Sequence, residues 1–270
     1  MRGLLTKTLY EVWLTTLLFG LGLFVVKMLL TFILPQIHAA LGEVLNRLPL
    51  ARTFLTVLLG TAVGHEITAR TMQAFLWVHP VVLALVWAHE ITLCTRMPAG
   101  EIDRGTIDVL LSLPVSRRAV YYCESVVWLV SGALVLCLGL LGHLVAAPRM
   151  PAELRPELSR VLVVMANLYC VYLAVGGIAF LVSSVSDRRG RAVAVVFGIL
   201  LASFLLNFIA NFWPPARHVA FLGVLEYYQP AQILQHGDLP VHDVSVLLLV
   251  GGLAWLLGGE LLARRSISTV

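Results

Sequence analysis

The stretch Glu101-Ile-Asp-Arg-Gly-Thr-Ile-Asp-Val-Leu-Leu-Ser-Leu-Pro-Val-Ser-Arg-Arg118 separates two apolar segments that are each long enough to cross a membrane. Gly105 and Thr106 predict a helix start within it. Pro114 ends that helix, because proline has no N–H and clashes with the preceding turn. The stretch therefore predicts one short helix over about residues 106 to 112.

This short helix has one apolar face. Ile107, Leu110 and Leu111 follow the i, i+3, i+4 spacing that places side chains together on a helix. Asp108 lies in the first turn, where the helix dipole favours an anion. Arg104 precedes it by four residues, so the two could pair with each other or with the surface that covers the helix. A helix of this length has neither a core of its own nor the length to span a bilayer, so we expect another surface to cover its apolar face.

The composition of the chain is that of a membrane protein. Its 270 residues are 59% hydrophobic and only 13% charged, against about 25% charged in soluble domains. The net charge of +4 does not indicate nucleic-acid binding, because the basic residues flank apolar segments. The four cysteines show no C-x-x-C spacing, so we predict neither a disulfide framework nor a metal site.

Six segments reach the roughly 20 residues that a membrane-spanning helix needs. They lie near 12–34, 72–95, 119–146, 160–185, 191–213 and 243–263. We interpret the first as a transmembrane helix, since it is longer than the apolar region of a signal peptide. The predicted fold class is an all-α polytopic membrane protein, with residues 1–270 forming a single transmembrane domain. Paired glycines, at 139/142, 176/177, 251/252 and 258/259, predict close approach of its helices.

The arginines predict the orientation of these spans. An even number of spans places both termini on one side, and the arginines of residues 96–118, 188–191 and 264–265 fall on that side. The positive-inside rule makes this side the cytoplasm. On the outside, the apolar run 53–63 is too short to span and predicts an interfacial or re-entrant helix, and the connection 213–243 is expected to lie along or dip into the outer surface.

No nucleotide-binding loop is present in the sequence. The pattern G-x-x-x-x-G-K-[ST] is absent, since neither Lys7 nor Lys27 follows the required glycines. The chain is therefore not itself a phosphate-loop ATPase, and we predict no catalytic residues and no cofactor bound by it. The His-Glu pairs at 65–66 and 89–90 lack the second histidine of a zinc hydrolase, so an intramembrane enzyme has little support.

The segment Gly100–Arg117 resembles the pattern G-E-x-x-x-G-T-x-x-x-L-L-S-x-P-x-S-R of ABC-2 type transporter permeases. Supporting features are Ser-Asp-Arg-Arg-Gly at 186–190, Tyr-Tyr-x-Pro-x-x-Ile-Leu at 227–234 and the arginine pair at 264–265. The overall plan is most similar to six-span permeases of the NosY type. The resemblance implies that the chain is the permease subunit of a transporter that moves a substrate, by export, across a bacterial-type plasma (inner) membrane.

The resemblance also implies partners. The segment near 101–115 would be a coupling helix seated on an ATP-binding cassette ATPase, of which two copies would carry ATP and Mg. A second permease copy would complete a homodimer, and a periplasmic accessory protein would be a further partner. The residues implied to contact the ATPase are Glu101, Arg104, Gly105, Thr106, Ile107, Asp108, Leu110, Leu111, Pro114 and Arg117.

Polar residues inside the spans are the remaining candidates, because a charge in a bilayer is costly. They are Lys27, Glu90, Glu124, Asn167, Asn207 and Asn211. For Lys27 the alternatives are snorkelling or structural pairing and a place on a substrate path. For Glu90 and Glu124 we favour ion pairs with Arg96, Arg117 or Arg118 over a proton relay. The asparagines predict hydrogen bonds between helices or a polar substrate path.

A second function remains open from the sequence. Lys27, Glu90 and Glu124 could bind or relay protons in an ion-coupled carrier that needs no ATPase. Such a carrier would depend on an ion gradient and would have no nucleotide-binding partner. The sequence favours no particular substrate under either hypothesis.

Overall fold

Long apolar runs fold into long helices because a backbone in lipid must satisfy its hydrogen bonds within the segment. The computed structural model describes residues 2–47, 69–112, 114–210 and 212–266, and these contain helices and no strand. The α-helices, numbered α1 to α11 in chain order, are Arg2–Arg47, Ala69–Val78, Pro80–Cys94, Glu101–Asp103, Ile107–Leu111, Arg117–Ala146, Leu158–Val185, Arg189–Ala210, Pro214–Arg217, Pro230–His236 and Val241–Arg264. Shorter turns connect them: a distorted π-helical turn at Arg96–Gly100 and 3-10 turns at Ala147–Arg149, Ala152–Leu154, Ala220–Leu222 and Val224–Tyr227.

Six helical segments of the described chain are long and apolar enough to cross a membrane. They are Gly3–Ile37, Met72–Cys94, Arg117–Arg149, Ala152–Val185, Arg189–Ala210 and Val241–Arg264. The predicted all-α fold with six spans is therefore confirmed. The first span begins earlier than predicted, because its helix continues through the polar residues that precede the apolar run. The helix of the fifth span, α8, ends at Ala210 rather than near residue 213.

The second span is broken, which the hydropathy pattern did not predict. Helix α2 ends at Val78 and α3 begins at Pro80, with His79 between them in an extended conformation. Proline cannot donate the backbone hydrogen bond that would continue α2, so the break follows from the sequence locally. The predicted helix at 53–63 lies outside the described residues.

The core forms around the second, third and fourth spans. Helix α1 packs along α6, and α11 packs along α7, while α3 contacts α1, α6 and α7 at the centre. The first, fifth and sixth spans bury less than a third of their most apolar stretch inside the chain, whereas the other three bury more than half. Lipid or another membrane protein must therefore cover the outer faces of α1, α8 and α11.

Glycines set the closest helix contacts, as the sequence predicted for most of the pairs. A Cβ atom on Gly177 of α7 would overlap the backbone of Gly251 on α11, and one on Gly251 would lie 2.6 Å from the Cα of Ala174. A Cβ atom on Gly142 of α6 would overlap the backbone of Phe24 on α1 in the same way. These contacts match the small-residue packing of membrane helices.

We expect Gly251→Ala to destabilise the protein by about 1–3 kcal/mol, because the added methyl forces α11 away from α7. The adjacent Gly252 is the matched control, since a Cβ atom there meets nothing within 4 Å. Thermal unfolding of the purified chain in detergent measures both variants. A Gly252→Ala protein that loses as much stability as Gly251→Ala would contradict the packing.

Candidate functional site

One end of the bundle brings together the arginine-rich segments, and we call it the basic end. Arg265, just after α11, donates to the carbonyl of Ser184 at 2.8 Å and forms an ion pair with Asp187. Arg117 at the start of α6 donates to the carbonyl of Arg265. Arg189 at the start of α8 donates to the carbonyl of Thr92 at 3.0 Å. The segments that the sequence placed on one side of the membrane therefore share one end of the structure.

The segment between the second and third spans forms a compact turn at the basic end. Gly105 has φ +68°, which only glycine adopts readily, and it reverses the chain between α4 and α5. Helix α5 covers Ile107–Leu111, close to the predicted 106–112, and the chain then passes Pro114 to α6. The hydroxyl of Ser116 caps α6 by accepting from the N–H of Ala119 at 3.1 Å.

Glu101 organises this turn. Arg104 donates to its carboxylate at 2.7 Å and to the carbonyl of Gly100 at 3.1 Å, and the Thr106 hydroxyl also donates to the Glu101 carboxylate. Thr106 therefore does not cap α5 with its side chain. Arg104 and Asp108 do not pair with each other among the described residues, because Arg104 follows the end of α4 and pairs with Glu101, while Asp108 lies on α5 beyond Gly105. Pairing of either residue with a partner protein stays a prediction.

The faces of α5 differ from the predicted ones at two positions. Ile107 is 3% exposed and packs into the core of the chain, so it is already covered and does not offer its side chain to a partner. Val109 is 70% exposed, and Asp108 is exposed beside it. The side chains of Leu110 and Leu111 lie outside the described part, so their roles stay predictions. The i, i+3, i+4 pattern did not single out Val109.

The residues just before this turn are tied to the fourth and fifth spans. Ser183 of α7 donates its hydroxyl to the carbonyl of Met97 at 3.1 Å and accepts from the N–H of Ala99 at 3.3 Å. The backbone N–H of Arg189 on α8 donates to the carboxylate of Asp103 at 3.3 Å. A displacement of the turn would therefore be passed to α7 and α8 as well as to its chain neighbours α3 and α6.

A buried ion cluster joins three spans beside the turn. Arg96 contacts Glu124 of α6 at 2.7 Å and also Glu11 of α1, and the side chains of Arg96 and Glu124 are 12% and 11% exposed. Burial disfavours the charge of Arg96, but Glu124 and Glu11 outweigh it and raise the pKa of Arg96 above its usual value. Thr8 donates to Glu124 at 2.9 Å. The predicted pairing of Glu124 with Arg96 is confirmed.

Glu90 does not pair with an arginine, contrary to prediction. Its side chain is fully buried, with Trp128 of α6 and the backbone of Gly176 on α7 beside it, and neither carboxylate oxygen has a hydrogen-bond partner among the described residues. Arg96 is already held by Glu11 and Glu124. The predicted partners Arg117 and Arg118 instead contact the Arg265 carbonyl and Glu260. Glu90 is therefore enclosed between α6 and α7.

Lys27 is buried rather than snorkelling, and it holds the break in the second span. Its side chain is 1% exposed, and its ammonium lies 3.1 Å from the carbonyl of Leu76 and 3.4 Å from the ring centroid of Trp77. The Leu76 carbonyl needs a donor because its helical partner would be Pro80, which has no N–H. Of the alternatives for Lys27, the structure shows structural pairing.

A second side chain donates to a backbone carbonyl at the break. The hydroxyl of Tyr228, which is 7% exposed, donates to the carbonyl of Trp77 at 3.1 Å. The N–H of Val81, which would bind the Trp77 carbonyl in a continuous helix, donates to Nδ1 of the His79 ring at 3.3 Å. The carbonyls of Leu76 and Trp77, which lose their helical partners at the break, are therefore satisfied by α1 and by the connection after α8.

We expect Tyr228→Phe to lower stability by about 1–3 kcal/mol, because the Trp77 carbonyl is then buried without a donor. Tyr10→Phe, at a tyrosine that is 79% exposed, is the control and should change stability by less than about 0.5 kcal/mol. Thermal unfolding in detergent compares the two. Equal stability of both variants would show that Tyr228 does not cap the break.

Two of the three asparagines bind the connection 213–243, and a place on a polar substrate path stays a prediction. Asn167 donates to the carbonyl of Tyr227 at 3.2 Å, and Asn207 donates to the carboxylate of Glu226 at 2.9 Å. Asn211 lies outside the described residues. The connection folds into short helices, and its side chains Ile233 and Leu234 are buried against the bundle. It therefore packs into the end of the bundle opposite the basic end.

Comparison with known proteins gives one match. A family model described as ABC-2 family transporter protein matches residues 10–236. This range includes the turn at the basic end, the ion cluster around Arg96 and the break in the second span. No curated protein and no solved structure matches the chain.

Proposed function

The chain belongs to the ABC-2 family of transporter proteins, and from this premise we propose that it is the membrane-spanning permease subunit of a transporter powered by a separate ATPase. The observation that carries the proposal is the position of α5. This helix lies at the tip of a turn at the basic end, presents Val109 with 70% of its surface exposed, and is connected to several spans. The positive-inside rule assigns the basic end to the cytoplasm, where ATP is available.

The contacts of the turn support a mechanism in which motion of the ATPase reorients the spans. Closure of an ATPase pair around ATP moves the groove in which α5 sits. The movement passes directly to α3 and α6, and through Ser183 and Asp103 to α7 and α8. The movement also reaches α1, because Arg96 binds both Glu11 of α1 and Glu124 of α6. The substrate then leaves the cytoplasm as the bundle changes shape.

A second copy of the chain fits the exposed face of α8. Gly190, Ala194, Gly198 and Ala202 are spaced by four residues, so they lie along one side of this helix. A Cβ atom on Gly190 or Gly198 would meet nothing within 4 Å in the chain. Small residues at this spacing let two membrane helices approach closely. We assign this face to a homodimer that binds two ATPase subunits.

The ion-coupled carrier is the weaker candidate. Of its three proposed groups, Lys27 is held by the broken second span and Glu124 by Arg96. Of the three, only Glu90 has a side chain without a hydrogen-bond partner among the described residues. A proton path needs successive groups within hydrogen-bond reach, and the arrangement around Glu90 does not connect it to Lys27 or Glu124 by any described hydrogen bond.

The test is purification of the tagged chain from its native membrane, followed by identification of co-purifying proteins and assay in vesicles. We expect a protein with a phosphate loop, present in equal amount, whose ATP hydrolysis depends on the chain. Efflux driven by an ion gradient through the chain alone would instead establish the carrier.

A further inference from the structure

A cleft opens at the basic end between α6 and α11. Its volume is about 280 Å³, and it is lined by Tyr122 on α6 and Trp255 on α11, whose rings pack against each other with centroids 5.7 Å apart. Gly259 forms part of its wall. A Cβ atom at this position would lie 3.0 Å from the ring of Tyr121, so the missing side chain contributes to the space.

The aromatic wall is fixed by hydrogen bonds. The indole N–H of Trp255 donates to the hydroxyl of Ser125 at 2.8 Å, and the hydroxyl of Tyr121 donates to the carbonyl of Trp255 at 2.7 Å. Both bonds run between α6 and α11. The cleft is therefore formed before any ligand binds, which lowers the cost of binding.

Arg118 and Glu260 line the cleft, and Arg264 lies next to them through its contact with Glu260, so positive charge is in excess here. The guanidinium of Arg118 contacts Glu260 at 2.8 Å, and that of Arg264 contacts the other oxygen of the same carboxylate at 2.5 Å. Two cations share one anion, so a net charge of about +1 remains. Each guanidinium has five N–H donors, more than one shared carboxylate can accept. The side chain of Arg118 is 58% exposed and open to a further anion.

The other side of the cleft is apolar and faces outward from the bundle. Tyr122 is 46% exposed and Leu256 is 56% exposed, and both lie on membrane-spanning helices. A ligand that fills the cleft must therefore combine an anionic group for the arginines with an apolar part for these side chains. A membrane supplies such a molecule as an anionic phospholipid, and basic pockets between spans on the cytoplasmic side suit its headgroup.

We propose that this cleft is a binding site for an anionic phospholipid. The lipid phosphate lies against Arg118 and Arg264, and an acyl chain runs along Tyr122, Trp255 and Leu256. Glu260 offsets part of the positive charge and opposes the bound anion, and the remaining charge of about +1 favours an anionic headgroup over a zwitterionic one. This site is separate from α5 and does not depend on the ATPase.

The test is native mass spectrometry of the full chain with phosphatidylglycerol and phosphatidylcholine of identical acyl chains. We expect preferential binding of phosphatidylglycerol. Arg118→Gln should reduce that preference about fivefold, since one arginine near an anionic lipid contributes on that scale. Glu260→Gln should raise it, because the opposing charge is removed. Arg149→Gln, which removes an exposed arginine at the other end of the same span, is the matched control and should change nothing.

Three results would overturn the proposal. They are equal binding of the two lipids, the same preference in Arg118→Gln and Arg149→Gln, and weaker phosphatidylglycerol binding in Glu260→Gln. Inorganic phosphate added as a competitor distinguishes the source of the anion, since displacement of the lipid by millimolar phosphate alone would indicate a phosphate site instead. If Arg118→Gln does not fold, Tyr122→Ala tests the apolar wall and should reduce phosphatidylglycerol binding.

Discussion

Replacing Arg96 by glutamine is expected to destabilise the protein by about 3–5 kcal/mol, the cost of removing one partner from a buried ion pair. Arg96 is 12% exposed and neutralises two carboxylates, Glu124 and Glu11, which belong to different helices. Without the guanidinium, Glu124, which is 11% exposed, has no cation beside it among the described residues, whereas Glu11, which is 37% exposed, keeps its ion pair with Lys7 at 3.2 Å. The lost attraction and the uncompensated charge of Glu124 therefore act on the junction of α1, α3 and α6.

The control for Arg96 is Arg188→Gln, because Arg188 is exposed at the same end of the bundle. Its effect should stay within about 0.5 kcal/mol. Adding Glu124→Gln to Arg96→Gln should restore part of the stability, since the unpaired anion is then removed. Unfolding in detergent measures all three proteins. If Arg96→Gln were as stable as Arg188→Gln, the ion cluster would not hold the spans together.

The spans and the short helix were predictable because their causes are local. A run of about twenty apolar residues forms a membrane helix because its backbone hydrogen bonds are made within the segment, without contacts to the rest of the chain. Gly105 and Pro114 likewise act on their own backbone, so the position of α5 followed from the sequence almost to the residue. The family resemblance drew on the same residues and on 186–190 and 227–234. The likeness to permeases of the NosY type stays a prediction.

The partners of the buried charges were not predictable, because they depend on how the helices rotate against each other. Glu90 and Glu124 lie at similar depths by sequence, yet Glu124 meets Arg96 and Glu90 is enclosed by α6 and α7. One signal was available for Lys27. Pro80 lies four residues after Leu76, so a free carbonyl inside the span could have been expected, and a buried lysine is a suitable donor.

The face of α5 was mispredicted for a related reason. Apolar periodicity identifies the side of a helix that is buried, but it does not say whether the chain itself or a partner buries it. Ile107 belongs to the chain's own core, and Val109 on the other side is exposed. The residue available to a partner is therefore one that the periodicity excluded.

Replacing Val109 by aspartate should have the largest effect on function. A groove that receives this apolar side chain would have to bury an unpaired carboxylate, and we expect at least about a hundredfold loss of affinity for the ATPase. The fold should be unaffected, because Val109 is 70% exposed and a surface substitution changes stability by less than about 0.5 kcal/mol. Ile107→Asp differs, since it places a charge in the core and should prevent folding.

Val241→Asp is the matched control for Val109. Val241 is 69% exposed and begins α11 at the opposite end of the bundle, where an acidic residue is compatible with the helix dipole. Both variants make the same chemical change at valines of nearly equal exposure. Only their position relative to the proposed ATPase contact differs.

The most direct measurement is the amount of ATPase that co-purifies with each mole of chain from membranes, together with ATP-dependent transport in vesicles. The proposed function predicts that the original chain and Val241→Asp retain the ATPase and transport, while Val109→Asp, equally stable and equally abundant, loses both. Val109→Asp that retains its ATPase and transports as well as Val241→Asp would contradict it.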